Sequence, residues 1–338
     1  MLTLVTGANG HIGSRIVKRL LDRGRRVRAL VRKSSNLAGL LNPAGQLPEG
    51  LELCWGDVTD RDSVGRALAG ATRVFHTAAV FDTRTADLEG MVRTNHQGTL
   101  EVGEMALRQG VERFVYTSSV AAIGYTREPL VVLDEATWNG DPIDEYTASK
   151  TSAEKAIHVL VQEGLPAVIV NPATVLGPGD HKPTPSNAFV LLALQKGTPV
   201  TFNSGHTYVD VDDVAEGHLL AEEKGQVGGR YVLGGTQANN DVLLAELARR
   251  RGGRPPFVKL GHASVEVLGW GVELKAKLLG QKPLFTRKKA HKLIDYYGYF
   301  SHAKAAQELG YSPRPMDQIL DRAEAWYREK GWLGPAKG

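Results

Sequence analysis

Short runs of β-branched and aromatic residues recur along the chain, separated by segments long enough for a helix. Residues 2–5, 27–31, 51–55, 74–77, 114–117 and 167–170 are such runs and read as strands. Between the first two, Ile12, Ile16, Val17, Leu20 and Leu21 fall on one helical face, and Gly24 follows as a stop. Residues 87–109 and 146–163 also read as helices. Strand and helix alternate, so the connections are crossovers and the strands lie parallel. The expected fold class is α/β, with a doubly wound parallel sheet.

The rhythm changes near Pro172. Residues 172–207 are rich in Pro, Gly and Asn around one apolar, helix-like run at 188–194. Strand–helix alternation returns at 208–220, and beyond Thr236 the chain reads as mostly helical and more charged. This divides the chain into a nucleotide-binding core, residues 1–172 and 208–235, and a smaller, mostly helical, discontinuous domain, residues 173–207 and 236–338.

Composition narrows the function. The chain has 338 residues, 42% hydrophobic and 23% charged, as ordinary soluble globular proteins do. The net charge of +4 is a mild excess, with no Lys/Arg stripe interleaved with aromatics, which argues against nucleic acid as a partner. The strongest basic run, Arg287-Lys288-Lys289-Ala290-His291-Lys292, reads as a solvated face. Cys54 is the single cysteine, so no intrachain disulfide forms, which fits a reducing compartment. No His/Cys cluster has zinc spacing, so no metal is expected. The opening residues lead to the expectation of no charged leader, and no apolar run approaches the roughly 18 residues of a membrane span. The expected location is cytoplasmic.

Candidate chemistry begins at residues 6–13, Thr-Gly-Ala-Asn-Gly-His-Ile-Gly. The glycines at 7, 10 and 13 follow the first strand and open the first helix. Gly7 permits a tight turn, Gly10 lets backbone approach a pyrophosphate, and Gly13 lets helix pack close to strand. The free amides of the helix N-terminus then face the anion, with His11 and Ile12 beside it. The second strand ends Leu30-Val31-Arg32-Lys33-Ser34, without the carboxylate that holds a ribose 2′-hydroxyl. Arg32 is placed to pair with a 2′-phosphate instead, so NADP(H) is favoured over NAD(H). After the third strand, in Gly56-Asp57-Val58, Asp57 either accepts from an adenine amino group or caps the helix starting near Asp60.

Tyr146 and Lys150 lie one helical turn apart, on one face. A free tyrosine has a pKa of about 10, and a nearby cation lowers it. A shift of about 3 units corresponds to about 4 kcal/mol, within reach of a close ammonium and a cofactor's positive ring. Such a phenol gives a proton to a forming alkoxide or takes one from an alcohol. The fifth strand ends Tyr116-Thr117-Ser118-Ser119, where Ser119 or Ser118 can reach a substrate oxygen. Asn95, in the helix at 87–109, either holds a water beside Lys150 or satisfies a core contact.

Together these residues resemble the extended short-chain dehydrogenase/reductase family, also called the NAD(P)-dependent epimerase/dehydratase superfamily. The resemblance rests on Gly7–Gly13, Gly56-Asp57-Val58, His76-Thr77-Ala78-Ala79, Asn95-His96-Gln97-Gly98-Thr99, Thr117-Ser118-Ser119 and Tyr146…Lys150. It continues through Asn171-Pro172…Gly177-Pro178-Gly179, Tyr208-Val209-Asp210-Val211-Asp212-Asp213-Val214-Ala215 and the late Ser301-His302-Ala303-Lys304-Ala305…Leu309-Gly310-Tyr311-Ser312-Pro313.

The resemblance implies a Rossmann-type sheet, with the smaller domain taking the substrate. It implies Tyr146 as acid/base and Lys150 as the group that tunes it and binds the nicotinamide ribose. It places Ser119 on the substrate oxygen, because the family's hydroxyl lies five residues before the glycine at Gly124. Thr117, Ser118, Ala78, Ala79 and Pro172 would line the nicotinamide, and Val58 would accompany Asp57 at the adenine. His11 departs from the family, which usually has an apolar or aromatic residue there. The family often dimerises through helices corresponding to 87–109 and 146–163, so a homodimer is an expectation.

Within the family the chain is similar to the dihydroflavonol-4-reductase-like carbonyl reductases, through Leu133-Asp134-Glu135-Ala136-Thr137-Trp138 and the Leu30-Val31-Arg32 cofactor signal. Nucleotide-sugar epimerases usually carry an Arg-Asp-aromatic run where this chain has Ser204-Gly205-His206-Thr207. Dehydratases place Asp-Glu beside the active hydroxyl, where this chain has Val120-Ala121. The expected activity is NADPH-dependent reduction of a ketone or aldehyde. Alternatives are a sugar epimerase or dehydratase retaining NAD, a hydroxysteroid-type dehydrogenase, and a non-catalytic NADP(H) sensor. The substrate is a small molecule, whose pocket would come from residues 80–90, 120–140, 173–207 and 260–300. The apolar stretch 265–279 reads as a core or lid helix, with a membrane-surface helix as the alternative.

Overall fold

The computed structural model describes residues 1–81, 87–264, 266, 270 and 294–334. Seven strands form one parallel sheet, in the order β3–β2–β1–β4–β5–β6–β10. They are β1 (Leu2–Thr6), β2 (Arg26–Val31), β3 (Leu51–Trp55), β4 (Arg73–His76), β5 (Arg113–Thr117), β6 (Ala167–Pro172) and β10 (Arg230–Leu233). Six are the runs expected from the sequence, shifted only at their ends. The strand order reverses between β1 and β4, which makes their C-terminal edge the place where such sheets bind ligands.

Each strand is apolar on both faces because helices cover both. Val5, Ala29, Phe75, Val115 and Val168 point to the side of α1 (His11–Asp22) and α7 (Val211–Lys224). Their neighbours Leu4, Leu30, Val74, Phe114 and Ile169 point the other way, towards α2 (Arg61–Leu68), α4 (Gly98–Arg108) and α5 (Glu145–Gln162). The helix expected at 87–109 is interrupted. It runs as α3 (Leu88–Val92), a π-turn over Arg93–Gln97 that contains Asn95, and α4.

In the second part the expected helices are joined by short strands. β9 (Ser204–Asp210) pairs with β7 (Thr174–Leu176), β11 (Thr236–Asn239) and β13 (Tyr296–Gly298), and β8 (Val200–Phe202) pairs with β12 (Val258–Leu260). Strands of three or four residues are too short to show a period, and their partners lie far off in the chain. α6 (Pro185–Lys196), α8 (Asn240–Arg250) and the helix Met316–Glu329 bury a further core around Leu194, Tyr208, Leu247, Leu320 and Tyr327. The stretch 265–279 lies outside the described residues apart from 266 and 270, as does the basic run at 287–292. Among the described residues no helix is long and apolar enough to cross a membrane.

Candidate active site

The glycine loop closes tightly on β1. Gly7 has φ +64°, and its carbonyl accepts from the Gly10 amide at 2.9 Å. A Cβ on Gly7 would lie 2.7 Å from the Ala78 backbone, and one on Gly13 would lie 2.2 Å from the Gly7 carbonyl oxygen. Helix α1 starts at His11 with no side-chain cap and no acidic residue in its first turn. Its first amides therefore offer a bare, positive surface suited to a pyrophosphate. His11 Nε2 donates to the Pro178 carbonyl (3.2 Å), tying the loop to the Gly177–Gly179 turn. Burial lowers its pKa, so the imidazole sits there neutral. That hydrogen bond accounts for the departure from an apolar residue. Ile12 packs, partly buried, against the core beneath.

The adenosine end lies along β2 and β3. Arg32 is exposed just past β2, and its side chain makes no hydrogen bond or ion pair among the described residues. Asp57 takes the amide and hydroxyl of Thr59 on one oxygen, Oδ1, at 3.0 and 2.9 Å. It does not cap α2, whose N-cap is Asp60. Val58 is buried and packs against Gly98 of α4. Ala78 is half-buried beside the glycine loop, Ala79 is exposed, and Pro172 is buried at the end of β6.

At the C-terminal edge the candidate reacting groups converge. A capping box of Asp144 and Thr147 starts α5, which presents Tyr146 and Lys150 a turn apart. Lys150 is buried, donates from Nζ to the Thr117 carbonyl at 2.7 Å, and lies 5.1 Å from the centre of the Tyr116 ring. Ser119 follows two residues after Thr117, half-buried, with its hydroxyl close enough to the Tyr146 phenol to favour the phenolate. It also accepts from the Ala121 amide at 3.1 Å. Ser118 is buried and donates to Glu154 instead. Thr117 Oγ1 bonds His218 Nε2 at 2.8 Å, so its hydroxyl also points into the core.

The electrostatics differ from the expectation that Lys150 lowers the Tyr146 pKa. Burial pushes Tyr146 up to about 12, the nearby Ser119 hydroxyl opposes this, and Asp144 adds to it. Burial pushes Lys150 down to about 8, opposed by Glu154. Loss of water around the phenol dominates, and the Lys150 ammonium turns to the Thr117 carbonyl.

Asn95 is saturated. Its oxygen accepts from the Val80 amide (2.7 Å), and its amide donates to the Val80 carbonyl and to Ser149 Oγ, each at 3.1 Å. It ties the loop after β4 to α5 and serves a core contact. Beside Tyr146, the Phe81 ring lies 4.6 Å away centre to centre, and Tyr125 is within its electrostatic reach. Tyr125 also lines a cavity of about 400 Å³, with Arg127, Trp138, Asn139, Ile143 and Tyr296. Sequence reasoning missed Glu154 and Arg230, whose buried pair lies behind the serines. The one available signal was the repeat of spacing from Tyr146 to Lys150 to Glu154.

Residues 3–234 match the NAD dependent epimerase/dehydratase family. A Synechocystis sp. protein provisionally named dihydroflavonol 4-reductase is 34% identical, over 97% of this chain and 95% of its own length. Cinnamoyl-CoA reductase 1 of Petunia hybrida is 36% identical, over 97% of this chain and 92% of its own. The crystal structure of gox2253 superposes with a TM-score of 0.85 at 37% identity, covering 98% of this chain and 99% of that one. The motif-based resemblance is borne out: the chain is an oxidoreductase that works with a nicotinamide dinucleotide, and it belongs to the NAD dependent epimerase/dehydratase family.

Proposed function

We propose that the chain is an NADPH-dependent reductase of a ketone or aldehyde, with Tyr146 as proton donor. The observation that supports this most is that Tyr146, the Ser119 hydroxyl and a buried Lys150 come together at the C-terminal edge of the sheet, next to where the strand order reverses. A bound nicotinamide dinucleotide would supply the hydride. The bare amides of α1 and the glycine cradle would hold its pyrophosphate, and Arg32 its 2′-phosphate.

The chain's own residues do the rest. Ser119 and Tyr146 present two hydroxyls to one carbonyl oxygen and stabilise the charge that develops there. With a pKa of about 12 the phenol is protonated at pH 7, the form that reduction needs. Lys150, with a pKa of about 8, stays mostly charged and favours the phenolate as the proton leaves. Phe81 packs on the Tyr146 ring, and Tyr125, Trp138 and Tyr296 give the neighbouring cavity an aromatic surface, which suits an aryl carbonyl. Residues 173–207 and 236–338 form the substrate side in this reading.

The test is NADPH oxidation with a panel of aryl and alkyl carbonyls. Turnover is expected with some of them, and Tyr146→Phe should reduce kcat about 10²- to 10⁴-fold with NADPH affinity kept. A silent panel, or a Phe variant equal to wild type, defeats the reading. Arg32→Ala should cut the preference for NADPH over NADH about 10- to 100-fold, the loss of one charge-assisted contact. An unchanged ratio removes Arg32 from the 2′-phosphate. A second reading, sugar epimerase or dehydratase, draws on the family match; NAD+ retained through dialysis of the purified protein would favour it.

A further inference from the structure

We propose that Glu154 is a positioning residue of this site: its buried carboxylate turns Ser118 away from the substrate, balances the Lys150 ammonium, and through Arg230 links both to the cavity wall. The proposal rests on the reading of Tyr146 and Lys150 given above.

The geometry carries it. Tyr146, Lys150 and Glu154 are successive fourth residues on α5 and share one face. Glu154 is fully buried. Its Oε2 accepts from the Ser118 hydroxyl and from Asn171 Nδ2 (2.7 Å), and its Oε1 accepts from Arg230 Nε at 2.5 Å. Asn171 Nδ2 also donates to the Ser119 carbonyl at 3.1 Å. One carboxylate thus sets both serines: Ser118 by direct hydrogen bond, Ser119 through Asn171. The hydroxyl left to meet Tyr146 is that of Ser119.

Arg230 extends the link outward. Its Nη1 donates to the carbonyls of Glu135 (2.6 Å) and Thr137 (2.9 Å), and its guanidinium lies 3.9 Å from the centre of the Trp138 ring. Thr137 and Trp138 line the cavity that Tyr125 also lines. A buried ion pair contributes little net stability and is costly to break, so its value here is geometric.

Glu154 also sets the charge of Lys150. The groups that face Lys150 are Glu154 and the Tyr146 phenol on its own helix, Tyr116 and the Thr117 carbonyl on β5, and His76 on β4. His76 is neutral, with a pKa of about 3, and burial holds the Tyr116 phenol protonated. Glu154 itself faces Arg230 from β10, His158 on its own helix and Tyr116. It is the carboxylate that keeps the buried amine basic. Without it, burial alone acts on Lys150, and the amine loses its proton nearer neutrality.

The experiment reads the amine directly. In ¹³C-lysine-labelled protein, the Lys150 side-chain resonance is assigned by its loss in Lys150→Arg and titrated with pH. In Glu154→Gln the midpoint should fall by about one unit or more, the usual effect of one close opposite charge. The alkaline limb of kcat/KM for NADPH-dependent turnover should move the same way. An unchanged midpoint in a folded Gln variant overturns the proposal. If that variant does not fold, the double variant Glu154→Gln/Arg230→Met removes the pair together; the same fall is expected, and an unchanged midpoint again overturns it. The titration needs no turnover, so a silent carbonyl panel defeats the reductase reading and leaves this result readable.

Discussion

Single residues show how burial reverses expectations drawn from pairs. Lys150 beside a phenol promised a lowered pKa, yet Tyr146 rises to about 12 because the fold takes water from the ring. Asn95 is a second instance. The residue type suited a water beside Lys150, but every polar atom of its amide is used by Val80 and Ser149. Asn95→Ala leaves those partners unsatisfied in the interior, so it should cost about 1–3 kcal/mol of stability. Urea unfolding measures this; a variant as stable as wild type would show that the contacts are replaceable. The proposal for Arg32, by contrast, rests on position alone, because an exposed charge at a strand end needs no neighbour to be noticed.

At the scale of elements, the glycine loop is where local sequence and tertiary contact agree. Gly13 follows Gly7 by six residues, and its missing Cβ leaves room for the Gly7 carbonyl. In Gly13→Ala the new carbon would lie 2.2 Å from that oxygen, so α1 must back away from β1. The amides then leave the pyrophosphate position. NADPH affinity, followed by its fluorescence on titration, should fall at least tenfold; unaltered affinity would show that the loop does not hold the phosphates. Helix α5 is likewise legible: its capping box is local, and the Tyr146–Lys150 spacing follows from the helical repeat. The π-turn at Arg93–Gln97 was not, since one added residue barely disturbs an apolar stripe.

The whole molecule carries a pH signature. His76 and His218 are fully buried, with pKa values lowered by burial to about 3 and about 4. In the unfolded chain a histidine titrates near about 6.5. The folded state favours the neutral ring, so this stabilisation is complete above about 6.5 and is lost as pH falls from there towards the folded values. His218 shows the mechanism: Nδ1 donates to the Val214 carbonyl (2.7 Å), so Nε2 accepts from the Thr117 hydroxyl, and a proton there removes the acceptor. The melting temperature should therefore drop between pH 6.5 and 5, before most carboxylates titrate. A flat profile across that window contradicts the assignment.

What was readable in the chain is what nearest neighbours impose. Alternating apolar runs and helical stripes specified six of the seven strands of the parallel sheet, and glycine spacing and the Tyr146–Lys150 interval marked the turn into α1 and the helix that carries the proposed reacting pair. These signals are local because backbone sterics and helical repeat act over a few residues. Three properties depended on distant residues meeting. The short strands of the second sheet pair with segments far along the chain, so no single run announces them. The desolvation of Tyr146 and Lys150 depends on which elements cover them. Glu154 becomes meaningful only when folding brings it to Ser118, Asn171 and Arg230 in the interior, where a carboxylate without water must find its partners in the protein.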